Sequence, residues 1–142
     1  MNLLKKLDKE LINWCKKYGI SILRYSLAIV FIWFGIQKPL GISPAQELVT
    51  NTVYWFSPTW FVPVLGIWEV VIGLCLLYKP LIKIGLYLMI PQMLGTFLPL
   101  IILPEVIFNG NFFALTLEGQ FIIKNLVMLS AALVIAAHLH DK

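Results

Sequence analysis

The chain has 142 residues, of which 60% are hydrophobic and 13% are charged, and its formal net charge is +4. A composition this apolar excludes an ordinary soluble domain and indicates a single membrane domain covering residues 1–142. The positive charge does not indicate nucleic-acid binding, because most of the lysines gather before the first apolar run instead of spreading over a surface.

Residues 1–18 predict an amphipathic helix. Apolar side chains recur along one side of it and lysines along the other; the apolar set is Leu3, Leu4, Leu7, Leu11, Trp14 and Cys15. A helix with this distribution lies in the interface between water and lipid. We therefore expect a separate interfacial helix before the first span.

Four apolar runs follow, at about residues 20–37, 59–78, 80–103 and 119–139. Each is long enough to cross a bilayer as a helix. Lys79 and Pro80 leave almost no loop between the second and third runs, which predicts a tight antiparallel hairpin. The predicted fold class is all-α: a polytopic membrane protein with a four-transmembrane-helix bundle and an N-terminal amphipathic interfacial helix.

Small residues share faces with charged ones in the first two spans. Arg24, Ala28, Phe31, Gly35 and Lys38 recur at spacings of four and three, and Gly66, Glu69 and Gly73 do the same in the second span. Small residues let helices approach closely, so both faces are predicted to pack inward. Because Arg24 and Lys38 are at span ends, anchoring to lipid phosphate is the default interpretation for both.

The third span contains Pro91, beside Gln92, and Pro99. A proline inside a helix removes a hydrogen bond and clashes with the preceding turn, so Pro91 predicts a kink.

Lysines indicate the orientation. The flanks of the bundle that share a side with the N-terminus collect most basic residues, against Lys38 and Lys124 nearer the other side. Under the positive-inside rule both termini are predicted to be cytoplasmic.

Polar residues within the spans form the candidate site. A lysine inside a span must reach outward, find an acid or lose its proton. The outer half and midplane of the predicted bundle collect six such residues: Lys38, Glu69, Gln92, Glu118, Lys124 and Asn125. We expect a polar chamber with Glu69 and Lys124 as its charged centre. A purely structural role, in which these groups lock helices together, stays open for each of them.

No catalytic triad, phosphate-binding loop or zinc spacing is present, so the sequence offers no catalytic or metal-ligating set. Cys15 and Cys75 are too far apart in sequence for a C-x-x-C dithiol, which counts against a disulfide oxidoreductase. Enzymatic activity of this chain on its own is therefore not expected.

Residues 24–133 resemble the DoxX-like superfamily and, within it, the YkgB/RclC-type family. The resemblance is carried by Arg24 with FIWFGIQK, by GIWEVVIGLCLL, by the proline-bearing third span and by LEGQFIIKNLVMLSAAL, in that order. It implies a bacterial inner-membrane protein, with Lys38, Glu69 and Lys124 as polar positions. Relatives often have Lys-Asp where this chain has Lys124 and Asn125, which puts part of any shared function in doubt.

Some members of that family are associated with resistance to reactive chlorine, and DoxX itself with a thiosulfate:quinone oxidoreductase or an oxidative-stress complex. The resemblance therefore implies a membrane component in redox or oxidant-stress defence. Because apolar helices do not carry electrons, such a role needs a quinone or another cofactor, or a redox or membrane protein partner, in addition to the lipid bilayer. Two alternatives stay open: a transporter or channel subunit using Glu69 and Lys124, which would require a homodimer, and a structural membrane scaffold.

Overall fold

The structure is a computed structural model that describes residues 2–43, 46–108, 110 and 113–139; the side chains of Glu118 and Phe121 are outside this description. Its helices are α1 (Leu3–Gln37), α2 (Gln46–Thr52), α3 (Pro58–Leu77), α4 (Ile82–Thr96), α5 (Pro99–Ile102), α6 (Pro104–Ile107) and α7 (Leu117–Ala137). A 3₁₀ turn, Lys79–Leu81, joins α3 to α4. In the described ranges the only β-type pairing is an isolated bridge between Phe108 and Leu115.

Three helical segments of the described chain are long and apolar enough to cross a membrane: Leu3–Gln37, Pro58–Leu77 and Lys79–Ile102. Helix α7 has 21 residues, and among the described residues its apolar stretch covers Ile122–Ala137. The prediction of an all-α membrane protein is therefore confirmed at the level of three long apolar helices. The fourth span stays a prediction.

Helix α1 joins two elements that the sequence predicted as separate. It runs for 35 residues without a break, through the predicted interfacial helix and the first predicted span. The one candidate breaker between them is Gly19, and a single glycine costs a helix only about 1 kcal/mol. The predicted boundary between them near residue 18 is therefore wrong, whereas the interfacial location of residues 1–18 stays a prediction.

Helices α1 and α3 pack antiparallel in a regular register. Gly35 lies against Gly66, and seven residues earlier along α1 Ala28 lies against Gly73, seven residues later along α3. A methyl group added at Gly66 would lie only 2.5 Å from the carbonyl oxygen of Gly35. Glycine is required there because the two backbones touch. Both predicted inward faces are confirmed, since all eight of their residues are buried.

The hairpin of α3 and α4 is also confirmed, and it is tied by two contacts. Gly85 of α4 lies against Cys75 of α3, and the Trp68 indole donates a hydrogen bond of 2.9 Å to the Leu88 carbonyl. Helix α4 continues through Pro91 and ends at Thr96. The predicted third span is thus interrupted after residue 96, where a turn leads to Pro99 at the start of α5.

The apolar core cluster of the bundle lies toward the α3–α4 turn, which we call the hairpin end. It includes Phe31, Ile72, Leu76, Met89 and Ile135. The opposite end, which we call the loop end, carries α2, α5 and α6, where Thr52, Pro99 and Ile107 are buried. Helix α7 begins at the loop end with Thr116 as its cap, whose hydroxyl accepts a 3.2 Å hydrogen bond from the Gly119 N–H.

Candidate functional site

Glu69 is an acid buried near the middle of α3, with 6% of its surface exposed. Its Oε2 accepts a 2.8 Å hydrogen bond from the Lys38 ammonium, and its Oε1 accepts one of 2.8 Å from the Gln92 amide nitrogen. Lys38 and Gln92 are themselves buried. We call these three side chains the polar centre. It joins α1, α3 and α4 at one point.

Lys38 reaches the acid by extending along the bundle. Its Cβ lies beside Gly66, three residues before Glu69, which corresponds to about 4.5 Å along a helix. Side chains on a helix lean toward its N-terminus. Because the helices are antiparallel, Lys38 leans into the bundle and Glu69 leans toward Lys38. The two long side chains therefore meet between their backbones.

Gln92 lies across the α3–α4 hairpin from Glu69 and presents its amide to the acid. Its Nε2 donates to Glu69, while its Oε1 is buried and has no hydrogen-bond donor among the described residues. A buried acceptor left without a donor costs about 1–3 kcal/mol. The geometry therefore leaves one strong acceptor open beside the ion pair.

The polar centre combines unused donors with an unused acceptor. A lysine ammonium has three N–H donors, and the described part of the chain supplies Lys38 with one acceptor, Glu69. The open acceptor is Gln92 Oε1. A small molecule that both accepts and donates hydrogen bonds would complement this pair of groups. The two charges need each other, because an unpaired charge in an apolar interior is strongly destabilising.

Lys124 is not the cation of this centre. The prediction that Glu69 and Lys124 form the charged centre is wrong for the ion pair, because Lys38 occupies that position. Lys124 is exposed on α7. It lies on the same stripe as Met128, Ala131 and Ile135, at spacings of four, three and four, and those three pack against the core. The stripe is thus covered only toward the hairpin end.

The two remaining predicted site residues lie beside Lys124 on α7. Asn125 is half-buried, and the Glu118 side chain is outside the described residues. Of the six predicted residues, the structure brings Lys38 and Gln92 into contact with Glu69.

Arg24 has a role that the sequence analysis did not assign. Its guanidinium donates hydrogen bonds of 2.6 and 3.3 Å to the carbonyls of Leu76 and Leu77, and it is buried. These carbonyls end α3, where a helix has no internal donors left and carries partial negative charge. The default interpretation of Arg24 and Lys38 as lipid-phosphate anchors is therefore wrong for both, since each is occupied inside the bundle.

Comparisons with known proteins add nothing to the geometry. The chain matches no protein-family model, no curated protein and no solved structure.

The sequence contains part of the signal for the correct ion pair, namely the packed faces that carry Lys38 and Glu69, but not the register between the two helices. Lys38 shares a predicted packed face with Gly35, and Glu69 shares one with Gly66. Pairing the two glycine faces antiparallel brings the lysine to the acid. Lys124 has no glycine or alanine three or four residues away in its own span, so only its depth in the membrane favoured it as the partner of Glu69.

Proposed function

We propose that this chain is a four-span protein of the bacterial inner membrane, with both termini cytoplasmic, that acts as a membrane component or partner in resistance to oxidants such as reactive chlorine. The proposal is supported by the resemblance of residues 24–133 to the DoxX-like superfamily, by the three long apolar helices and by the apolar composition of α7. The basic residues before the first span support the orientation.

The observation that carries the proposal is the polar centre within apolar helices. Intramembrane ionisable groups are expensive, and they commonly mark binding or transfer sites. A quinone is a lipid-soluble group whose carbonyl oxygens accept hydrogen bonds and whose reduced form donates them. The donor set fits such a group: Lys38 would donate to a carbonyl and Gln92 Oε1 would accept from a hydroxyl. When bound, a quinone would supply the electron-carrying chemistry that amine, carboxylate and amide groups lack.

The stress role is tested by deleting the gene and restoring it in variant forms. Strains carrying the parent, Glu69→Gln or the exposed-site control Glu47→Gln are exposed to hypochlorite and to peroxide, with the membrane level of each protein measured. We expect the deletion and Glu69→Gln to lower survival and Glu47→Gln to restore it. Ordinary survival of the deletion strain would reject the stress role. Reduced thermal stability of Glu69→Gln without any survival defect would favour a scaffold.

The cofactor is tested separately on protein purified in mild detergent. An absorption spectrum and mass spectrometry of the organic extract should reveal a stoichiometric quinone if the polar centre binds one, and the Gln92→Leu variant should retain less of it. Phospholipid alone in the extract of the parent would remove the quinone from the proposal and leave the protein partner.

The interrupted third segment favours a second candidate function, that of a transporter or channel subunit. Helix α4 ends at Thr96 and the chain resumes as helix at Pro99, and discontinuous helices near intramembrane charges are typical of transporters. Four short spans enclose little volume, so this function would require a homodimer. Flux into vesicles that Glu69→Gln or Lys38→Met abolishes, with Lys124→Met as a comparison, would support it; absence of flux in the parent would reject it.

A further inference from the structure

The first half of α1 extends beyond the bundle. We call Leu3–Tyr18 the N-terminal arm. Arg24 contacts the end of α3, and every residue of the arm precedes that contact and is exposed. Its 16 residues correspond to about 24 Å of helix. The arm is therefore a helix none of whose residues is buried against the rest of the described chain.

The arm has an apolar edge and a basic face. Leu4, Leu7, Leu11, Trp14 and Tyr18 follow one another at alternating spacings of three and four, so they form one edge, and all are exposed. The arm contains five lysines against Asp8 and Glu10, and the lysines lie mainly opposite that edge. A helix of this kind complements a surface that is apolar below and negatively charged above.

The aromatic residues of the arm lie where such a surface would begin. The Trp14 and Tyr18 rings are 5.5 Å apart, and the Lys17 amine lies 5.2 Å from the centre of the Tyr18 ring. Tryptophan and tyrosine favour the headgroup region of a bilayer, and lysine beside them reaches phosphate.

Gly19 separates the arm from the packed part of α1, and packing does not explain it. A side chain at Gly35, Gly66, Gly73, Gly85 or Gly119 would collide with a neighbouring helix or loop, and Gly41 and Gly110 have positive φ angles. At Gly19 an added methyl group meets nothing within 4 Å. Glycine weakens a helix relative to alanine. A bend of the helix at Gly19 would therefore disturb no side-chain packing.

We propose that the N-terminal arm bends at Gly19 and docks on an anionic lipid surface, with its apolar edge among the lipid headgroups. A second copy of the chain is the other occupant that the apolar spacing would suit, since it follows a coiled-coil pattern. Two copies in one membrane would pair their arms in parallel. Glu10 of one arm would then lie opposite Cys15 of the other arm, so it would form no ion pair with a lysine. Such a pairing would bring the lysines of two arms close together without acidic partners, whereas anionic lipid headgroups would neutralise their charge.

The test uses Cys15, which is exposed beside the apolar edge. In a Cys75→Ala background a spin label on Cys15 reports its surroundings in vesicles of phosphatidylcholine, with or without phosphatidylglycerol. The matched control is Asn13→Cys with Cys15→Ser, which places the label on the basic face. We expect phosphatidylglycerol to raise severalfold the ratio of oxygen to nickel-chelate accessibility at Cys15, and to leave the control label accessible to nickel.

Two sets of variants complete the test. Replacing Lys5, Lys6 and Lys9 by glutamine should lower the docked-to-undocked ratio by about fivefold per lysine. Gly19→Ala should reduce docking, while Gly95→Ala, at the other helical glycine with open space, should not. Equal nickel accessibility at Cys15 and at the control position in phosphatidylglycerol vesicles would overturn the proposal. Strong label-to-label coupling at Cys15, independent of lipid charge, would assign the edge to a second copy and also overturn it. Docking unchanged in Gly19→Ala would overturn the assignment of the bend.

Discussion

Lys38 and Glu69 are joined by an ion pair of 2.8 Å although the Lys38 Cβ lies beside Gly66, three residues before Glu69 on α3. The contact depends on the antiparallel packing of α1 and α3, which makes the two side chains lean toward each other. Because the Lys38 side chain turns into the bundle, its ammonium loses its contacts with water and lipid headgroups. The ion pair with Glu69 must therefore compensate for the lost solvation of the ammonium.

Removal of one member of the pair is expected to be costly. Lys38→Met leaves the Glu69 carboxylate buried without its cation, so we expect the free energy of unfolding to fall by about 3–5 kcal/mol. The double variant Lys38→Met with Glu69→Leu removes both charges and should recover most of that loss, because no unpaired charge remains. Thermal unfolding in detergent measures both effects. A double variant that is less stable than Lys38→Met would contradict this account of the pair.

Lys124 should behave differently from Lys38 although both lysines are close to a predicted span end. Its side chain is exposed, so Lys124→Met is expected to change the free energy of unfolding by less than about 0.5 kcal/mol. The same unfolding assay, run beside Lys38→Met, compares the two lysines directly. A loss at Lys124 equal to that at Lys38 would mean that Lys124 also supports a buried acid.

The packed faces could be predicted from the sequence, and the ion pair could not. Spacings of three and four place Gly35 with Lys38 and Gly66 with Glu69, and those patterns decide which sides of α1 and α3 are buried. The partner of Glu69 depends on how the two helices slide against each other. That register is set by contact between the backbones at Gly35 and Gly66, which no single-helix pattern contains.

The predicted helix boundary near residue 19 was wrong because the sequence pattern reports the surroundings of a helix and not its hydrogen bonds. The change from an amphipathic to an apolar pattern near residue 19 predicted the end of an element, but a change in the surroundings of a helix does not require a break in its hydrogen bonds. Pro91 lies inside α4, where the kink stays a prediction, and the interruption of the segment comes at residues 97–98, before Pro99. Helix α4 continues through Pro91, and the Trp68 indole donates a hydrogen bond to the Leu88 carbonyl in the turn before it.

Arg24 is predicted to stabilise the hairpin end. Arg24→Ala removes hydrogen bonds from a charged donor to the last carbonyls of α3, and such bonds contribute about 1.5–3 kcal/mol. Arg24→Lys keeps the positive charge that favours a cytoplasmic location. It loses the planar guanidinium whose one nitrogen donates to both carbonyls, so an intermediate stability is expected. Thermal unfolding ranks the three proteins. If Arg24→Ala is as stable as the parent in detergent, the contact to α3 contributes nothing and the residue acts on topology alone.

Gly66 links helix packing to the polar centre. A methyl group at this position would lie 2.5 Å from the carbonyl oxygen of Gly35 and 2.6 Å from Cβ of Lys38, so α1 must move away from α3. Overpacking of this kind costs about 1–3 kcal/mol.

Gly66→Ala should therefore destabilise the protein and lengthen the contact between Lys38 and Glu69. The matched control is Gly95→Ala, which meets nothing within 4 Å and should be neutral or slightly stabilising in the same unfolding assay. If the packing and the ion pair are coupled, Gly66→Ala should lower the free energy of unfolding by less in the Lys38→Met, Glu69→Leu double variant than in the parent. The double variant has no ion pair for the displaced helix to weaken. An equal cost in both backgrounds would show that the two are independent.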